Sequence, residues 1–174
     1  MVLMDAAVSQ IHVPYDDNGA RYHDVSDYGL GGRYLTSMSN AECTRGKLRQ
    51  YGSKNAVCTQ VKSKDNAYRF GSTSGSQNML KVFSVSKVGA YVYIPQWKFY
   101  DDGKIEPSMV ATGSLQRITL NDQYGWLMED GKIGLSHIHN YFWRLDFDLG
   151  GTATDDLVQE INYLTTSGRR QRSL

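Results

Sequence analysis

Two of the chain's four histidines, His137 and His139, stand one residue apart in residues 136–151, SHIHNYFWRLDFDLGG. On a strand, residues i and i+2 face the same side, so both imidazoles can be offered to one copper or zinc ion. Two ligands alone do not make a tight site, and the alternative is a pair of polar residues on a wet sheet face. His12 and His23 are remote in sequence, and nothing local brings either to the pair. Cys43 and Cys58 are the only cysteines, too few for a disulfide scaffold and without zinc-ribbon spacing. They are either two thiols or one bridge, which would add about 3 kcal/mol through loop-closure entropy. A bridge implies an oxidising compartment and hence exposure to the secretory pathway. Against that, the first thirty residues include Asp5, Asp16 and Asp17 and no signal-peptide core.

The elements that must position these groups read as strands. Residues 79–85 (MLKVFSV) alternate apolar and polar, and residues 91–100 (YVYIPQWKFY) continue with aromatic and β-branched types, with Pro95 predicting a bulge or an edge. Asp101-Asp102-Gly103 turns the chain into residues 104–115 (KIEPSMVATGSL), so residues 88–115 predict a hairpin. Glu129-Asp130-Gly131 marks a second turn before another strand pair. In residues 141–149, Trp143, Leu145, Phe147 and Leu149 share one face, which predicts core, while Asp146 and Asp148 lie opposite as a wet face paired with Arg144. No helix longer than a turn or two is predicted. Residues 155–164 (DDLVQEINYL) are the best candidate, but Val158, Ile161 and Tyr163 suit a strand as well. Residues 39–55 and 71–78 are Gly/Ser/Asn-rich and read as loops. The expected architecture is all-β, an antiparallel sandwich or barrel, with one domain over residues 1–166 and a flexible basic tail over 167–174 (SGRRQRSL).

Charge and composition remove several partner classes. Nineteen Lys and Arg against eighteen Asp and Glu leave a net charge of +1, so no overall field recruits nucleic acid or an anionic membrane. No apolar run approaches the roughly 20 residues of a membrane helix. A hydrophobic content of 40% with 12 Tyr and 17 Gly belongs to a folded, turn-rich chain. On composition alone Asp24, in HDVSDYGLG, is a turn carboxylate, and Tyr15 and Tyr91 are packing residues.

Four collinear segments together resemble one family. HIHNYFWRLDFDLGG is similar to the copper-binding signature of copper/topaquinone amine oxidases, an H-x-H followed by an aromatic residue, R-L-D-x-D and Gly. KVGAYVYIPQWKFYDDGKIEPSMVATGSL resembles that family's cofactor strand and its hairpin partner. VPYDDNGARYHDVSDYGLG resembles the segment carrying the catalytic tyrosine and aspartate. NAVCTQVKSKDNAYRF resembles the segment holding one cysteine of a family disulfide, which makes Cys43 and Cys58 the implied bridge.

The resemblance implies a portion of the family's antiparallel β-supersandwich matching its first half, copper and topaquinone as cofactors, and a small primary amine as substrate. It places Tyr91 at the quinone precursor, Asp24 at the proton-abstracting base, Tyr15 at the residue that hydrogen-bonds the quinone, and His137 and His139 at two of three copper ligands. Imidazoles suit Cu(II), a carboxylate in a dry pocket is a competent base, and a quinone is an electron sink. Three departures stand beside these roles. Ala90 replaces the Asn before the cofactor Tyr, Val92 replaces the acidic residue after it, and no histidine follows His139. A homodimer, or a second chain completing the sheet, is the implied partner. Two other functions remain open: an isomerase, cyclase or lyase using Asp24 and Tyr15 as acid–base groups, and a noncatalytic binding module.

Overall fold

The computed structural model describes residues 3–16, 21–118, 125–150, 157, 162–166 and 169–173. Its chain divides into two compact units, Val8–Trp143 and a second made of Met1–Ala7 with Arg144–Leu174. Every strand pair with a described register is antiparallel. Helix is confined, among the described residues, to α1 (Asp24–Asp27) and a 3₁₀ turn at Gly32–Tyr34.

The larger unit is organised by six strands: β3 (Lys47–Tyr51), β4 (Lys54–Phe70), β5 (Thr73–Ser84), β6 (Ser86–Val88), β7 (Tyr91–Tyr100) and β8 (Ile105–Gly113). They run in the order β3-β4-β5-β7-β6, with β8 on the other edge of β7. The expected hairpin forms as β7 and β8. The Tyr100 N–H bonds the Lys104 carbonyl at 2.9 Å, and Gly103 takes the positive φ of 87° that closing the turn requires. Pro95 explains how β7 serves two neighbours on one edge. The β5 register ends at Phe83↔Gln96 and the β6 register begins at Ser86↔Tyr93, so the residue without an N–H falls in the gap between them.

Two further sheets of three strands occur among the described residues. β1 (Leu3–Pro14) lies between β2 (Arg21–His23) and β12 (Asn140–Phe147), and β11 (Ile133–Leu135) lies between β9 (Arg117–Ile118) and β10 (Gly125–Leu127). The Glu129-Asp130-Gly131 signal is the β10–β11 turn, with the Gly131 N–H on the Met128 carbonyl at 3.0 Å. The main core gathers Ile11, Val13, Val88, Tyr91, Tyr93, Ile133 and Leu135 from β1, β6, β7 and β11, with Tyr15 from just after β1. A smaller core forms around the Cys43–Cys58 disulfide, with Met38 buried beside it and Leu48, Phe83 and Val85 packed on it.

Several sequence expectations are corrected. Residues 39–55 include β3, and residues 71–78 are largely β5, which the Gly/Ser/Asn composition concealed. Pairing with β4 satisfies this polar strand's backbone, and the Tyr68 ring covers Gly75, whose missing side chain leaves room for it. Leu145 and Leu149, read as core, are 37% and 62% exposed. Alternation fixes which side chains share a face, not whether that face is covered. Trp143 of that set meets Trp97 edge-on at 5.1 Å. Arg144 pairs with Asp5 in the smaller unit, not with Asp146 or Asp148. Residues 155, 156 and 158–161 lie outside the described residues. The smaller unit also contains β13 (Asn162–Thr166) paired with β14 (Arg169–Ser173), the latter within the segment expected as a basic tail.

Candidate active site

The end of β1 and the H-x-H segment run side by side. Tyr15 bridges His137, the Asp16 N–H bonds the Ser136 carbonyl at 2.9 Å, and the Ile138 N–H bonds the Pro14 carbonyl at 3.2 Å. This pairing points His137 and His139 to one side, their ring centroids 4.8 Å apart. β7 meets them with its own i and i+2 pair. The Tyr91 ring lies 5.2 Å from His137 and 4.8 Å from His139, and the Tyr93 ring lies 5.5 Å from His139. The structure therefore brings together all five residues singled out from sequence: Tyr15, Asp24, Tyr91, His137 and His139. His12 and His23 stack on each other across β1 and β2, at 4.9 Å.

Asp24 opens α1 and is buried, at 6% exposure, although its sequence context reads as a turn. The Tyr28 and Gly29 N–H groups bond its carbonyl oxygen, and the Gln10 side chain accepts the Val25 N–H. The carboxylate's own partner is Tyr93, whose hydroxyl donates to Oδ2 at 2.5 Å. Burial raises the Asp24 pKa above the ordinary 3.8, and the Tyr93 bond opposes that rise. Burial likewise raises the Tyr15 and Tyr91 phenols, which share a short hydroxyl–hydroxyl hydrogen bond. The Gln116 backbone adds a hydrogen bond to Tyr91.

Burial, with a smaller contribution from neighbouring His137, holds the His139 pKa down to about 4. At neutral pH that imidazole therefore carries a lone pair. His137 Nδ1 faces the Leu135 carbonyl at 3.3 Å, and because a carbonyl only accepts, this contact puts a hydrogen on Nδ1 and leaves Nε2 as the nitrogen not engaged there. The donor set is thus a pair of imidazoles, which suits copper. No group of three or more His, Cys, Asp or Glu side chains with metal-binding placement occurs among the described residues.

Tyr91 lines two cavities. One, of about 260 Å³, is shared with His137, His139, Thr112 and Gly113. The other, of about 90 Å³, is shared with Tyr15, Asp24 and Ala90. Gly113 makes the close approach possible. It sits opposite Tyr91 across the β7–β8 register at φ 118°, and a Cβ there would stand 2.4 Å from the Ala90 carbonyl oxygen. Two site residues escaped the sequence reading, Tyr93 and Gly113. For Tyr93 the signal was present: it shares a strand face with Tyr91 by the period-two rule that pairs the histidines.

A family model described as copper amine oxidase, enzyme domain, matches residues 1–172. The chain belongs to this family. It is 26% identical over 185 residues to a primary amine oxidase of Pisum sativum, covering 87% of this chain and 27% of that protein. It is 28% identical over 183 residues to a primary amine oxidase of Klebsiella aerogenes, covering 86% of this chain and 24% of that protein. This amine oxidase-family chain thus spans about a quarter of the length of the curated relatives it matches. Its fold superposes on an Aspergillus nidulans amine oxidase with a TM-score of 0.70 at 22% identity, covering 85% of this chain and 23% of the other. Against a Pichia pastoris lysyl oxidase the TM-score is 0.70 at 19% identity, covering 99% and 28%. At those identities the two structures speak for the fold alone, an antiparallel amine-oxidase β-domain.

Proposed function

We propose that this chain carries the reacting half of a copper amine oxidase, which converts a small primary amine to an aldehyde and ammonia while dioxygen is reduced to hydrogen peroxide. The observation that carries the reading is Tyr91, which borders the imidazole cavity on one side and the Asp24–Tyr15 cavity on the other. His137 and His139 would hold copper, with a further ligand supplied from outside the described residues, by a partner chain or a second copy. Copper and a quinone formed from Tyr91 would supply the electron sink for the amine. Asp24, buried and with its pKa raised, is the group able to take a proton from the carbon beside the amine nitrogen. Tyr15 restrains the Tyr91 ring through their shared hydroxyl contact. Ala90 gives the cavity beside Tyr91 a methyl wall where the family pattern has a polar amide.

The test is aerobic copper loading of the protein, followed by phenylhydrazine and mass analysis of the Tyr91 peptide. The expected result is a coloured adduct and a modified Tyr91, with peroxide released on addition of a primary amine. An unmodified Tyr91 and no adduct would refute the oxidase reading.

A second reading is favoured by one feature, the absence of the family's flanking residues at Ala90 and Val92. Asp24 and Tyr15 then serve as acid–base groups for an isomerisation, cyclisation or elimination on a small molecule. Activity unchanged in Asp24→Asn would dispose of it.

A further inference from the structure

We propose that Tyr93 is a positioning residue that fixes His139 as the Nδ1–H tautomer, using the Asp24 carboxylate to turn its own proton away from the histidine. The inference rests on the copper reading for the identity of the ion, and not for its test.

Tyr93 is fully buried, its ring held edge-on between His139 at 5.5 Å and Tyr141 at 6.5 Å. Its hydroxyl has two partners within reach, Asp24 Oδ2 at 2.5 Å and His139 Nδ1 at 3.0 Å. A phenol has one proton to donate. It goes to Asp24, in the shorter of the two bonds. The Tyr93 oxygen is left facing Nδ1 as an acceptor, so Nδ1 must bring the hydrogen. A neutral imidazole has one N–H, so Nε2 keeps its lone pair.

The Leu135 carbonyl imposes the same choice on His137 from a different element. Both rings of the H-x-H pair thus spend Nδ1 on the protein and present Nε2 as ligand atom. Outer-shell partners commonly set histidine orientation and basicity in this way. The chain Asp24–Tyr93–His139 also ties the carboxylate of one cavity to an imidazole of the other. Removing the carboxylate therefore changes which histidine nitrogen carries hydrogen, although Asp24 reaches His139 only through the Tyr93 hydroxyl.

Nitrogen-15 spectra of the histidine rings in the metal-free protein at neutral pH test the idea without copper or turnover. The native protein is expected to show a pyrrole-type Nδ1 and a pyridine-type Nε2 at His139. In Asp24→Ala the Tyr93 proton is free to turn toward the ring, and the His139 tautomer is expected to switch to Nε2–H. In Tyr93→Phe the single tautomer is expected to become a mixture, and copper(II) affinity to fall by about 10- to 100-fold. An Nε2–H tautomer in the native protein, which needs no variant to fold, overturns the proposal. So does an unchanged tautomer in Asp24→Ala. A protein that shows the switch yet forms no quinone refutes the oxidase reading alone.

Discussion

The depressed pKa of His139 makes the metal-free protein's stability depend on pH in a calculable way. The ring titrates at about 4 in the folded chain and at about 6.5 when unfolded. Between those values the unfolded state binds the extra proton, so stability is complete above pH 6.5 and is lost as pH falls toward 4. The full shift corresponds to about 3 kcal/mol, and about 2 kcal/mol of it is already gone at pH 5. Asp24 acts in the opposite sense, because a raised carboxyl pKa favours the folded chain as pH falls through it. The comparison that isolates the histidine is therefore native against His139→Gln, each by urea unfolding from pH 7.5 to 4.5 in the presence of a chelator. Glutamine keeps a polar group facing Tyr93 and does not titrate. The native curve is expected to lose about 2 kcal/mol relative to the variant between pH 7 and pH 5. Parallel curves across that range would mean that His139 is as easily charged in the fold as in the open chain, and the argument for a neutral ligand ring would fail.

Three further outcomes are expected. Gly113→Ala forces a Cβ against the Ala90 carbonyl at a left-handed φ, so it should cost about 1–3 kcal/mol by urea unfolding. The same variant should move the Tyr91 ring signals in an NMR spectrum. Cys43→Ser opens the bridge between residues 15 apart in sequence, with an expected loss of about 3 kcal/mol that added reductant reproduces in the native protein. Trp143→Ala removes the edge contact with Trp97 and should cost less than that bridge, because truncation there exposes a half-buried ring and opens no sealed cavity.

How much of this was legible in the sequence follows from what each signal encodes. The β7–β8 hairpin was readable because a D-G turn and two aromatic, β-branched runs all point to one local structure. β5 was not, because a strand's tolerance for Ser, Gly and Asn depends on its neighbour, and β4 is that neighbour. The five candidate residues were placed by collinear motifs, and the structure assembles them from the residue after β1, α1, β7 and the segment before β12. Period two puts Tyr93 on the face of Tyr91, but its partner Asp24 lies 69 residues away along the chain, and no spacing records that hydrogen bond. Leu145 and Leu149 misled for the converse reason: the pattern was right and the covering layer is not part of the pattern.

The place of Tyr91 in its sheet has a mechanical meaning. Its main chain is clamped on both edges, by Val88 of β6 and by Gly113 of β8, at the first residue of the strand. Whatever happens to the ring, the peptide beneath it has no freedom to follow. Reorientation is confined to the two side-chain torsions, which turn the ring like a vane on a fixed post between the imidazoles and the carboxylate. A backbone amide that keeps its slow hydrogen exchange while the ring signals change would be the signature of that arrangement.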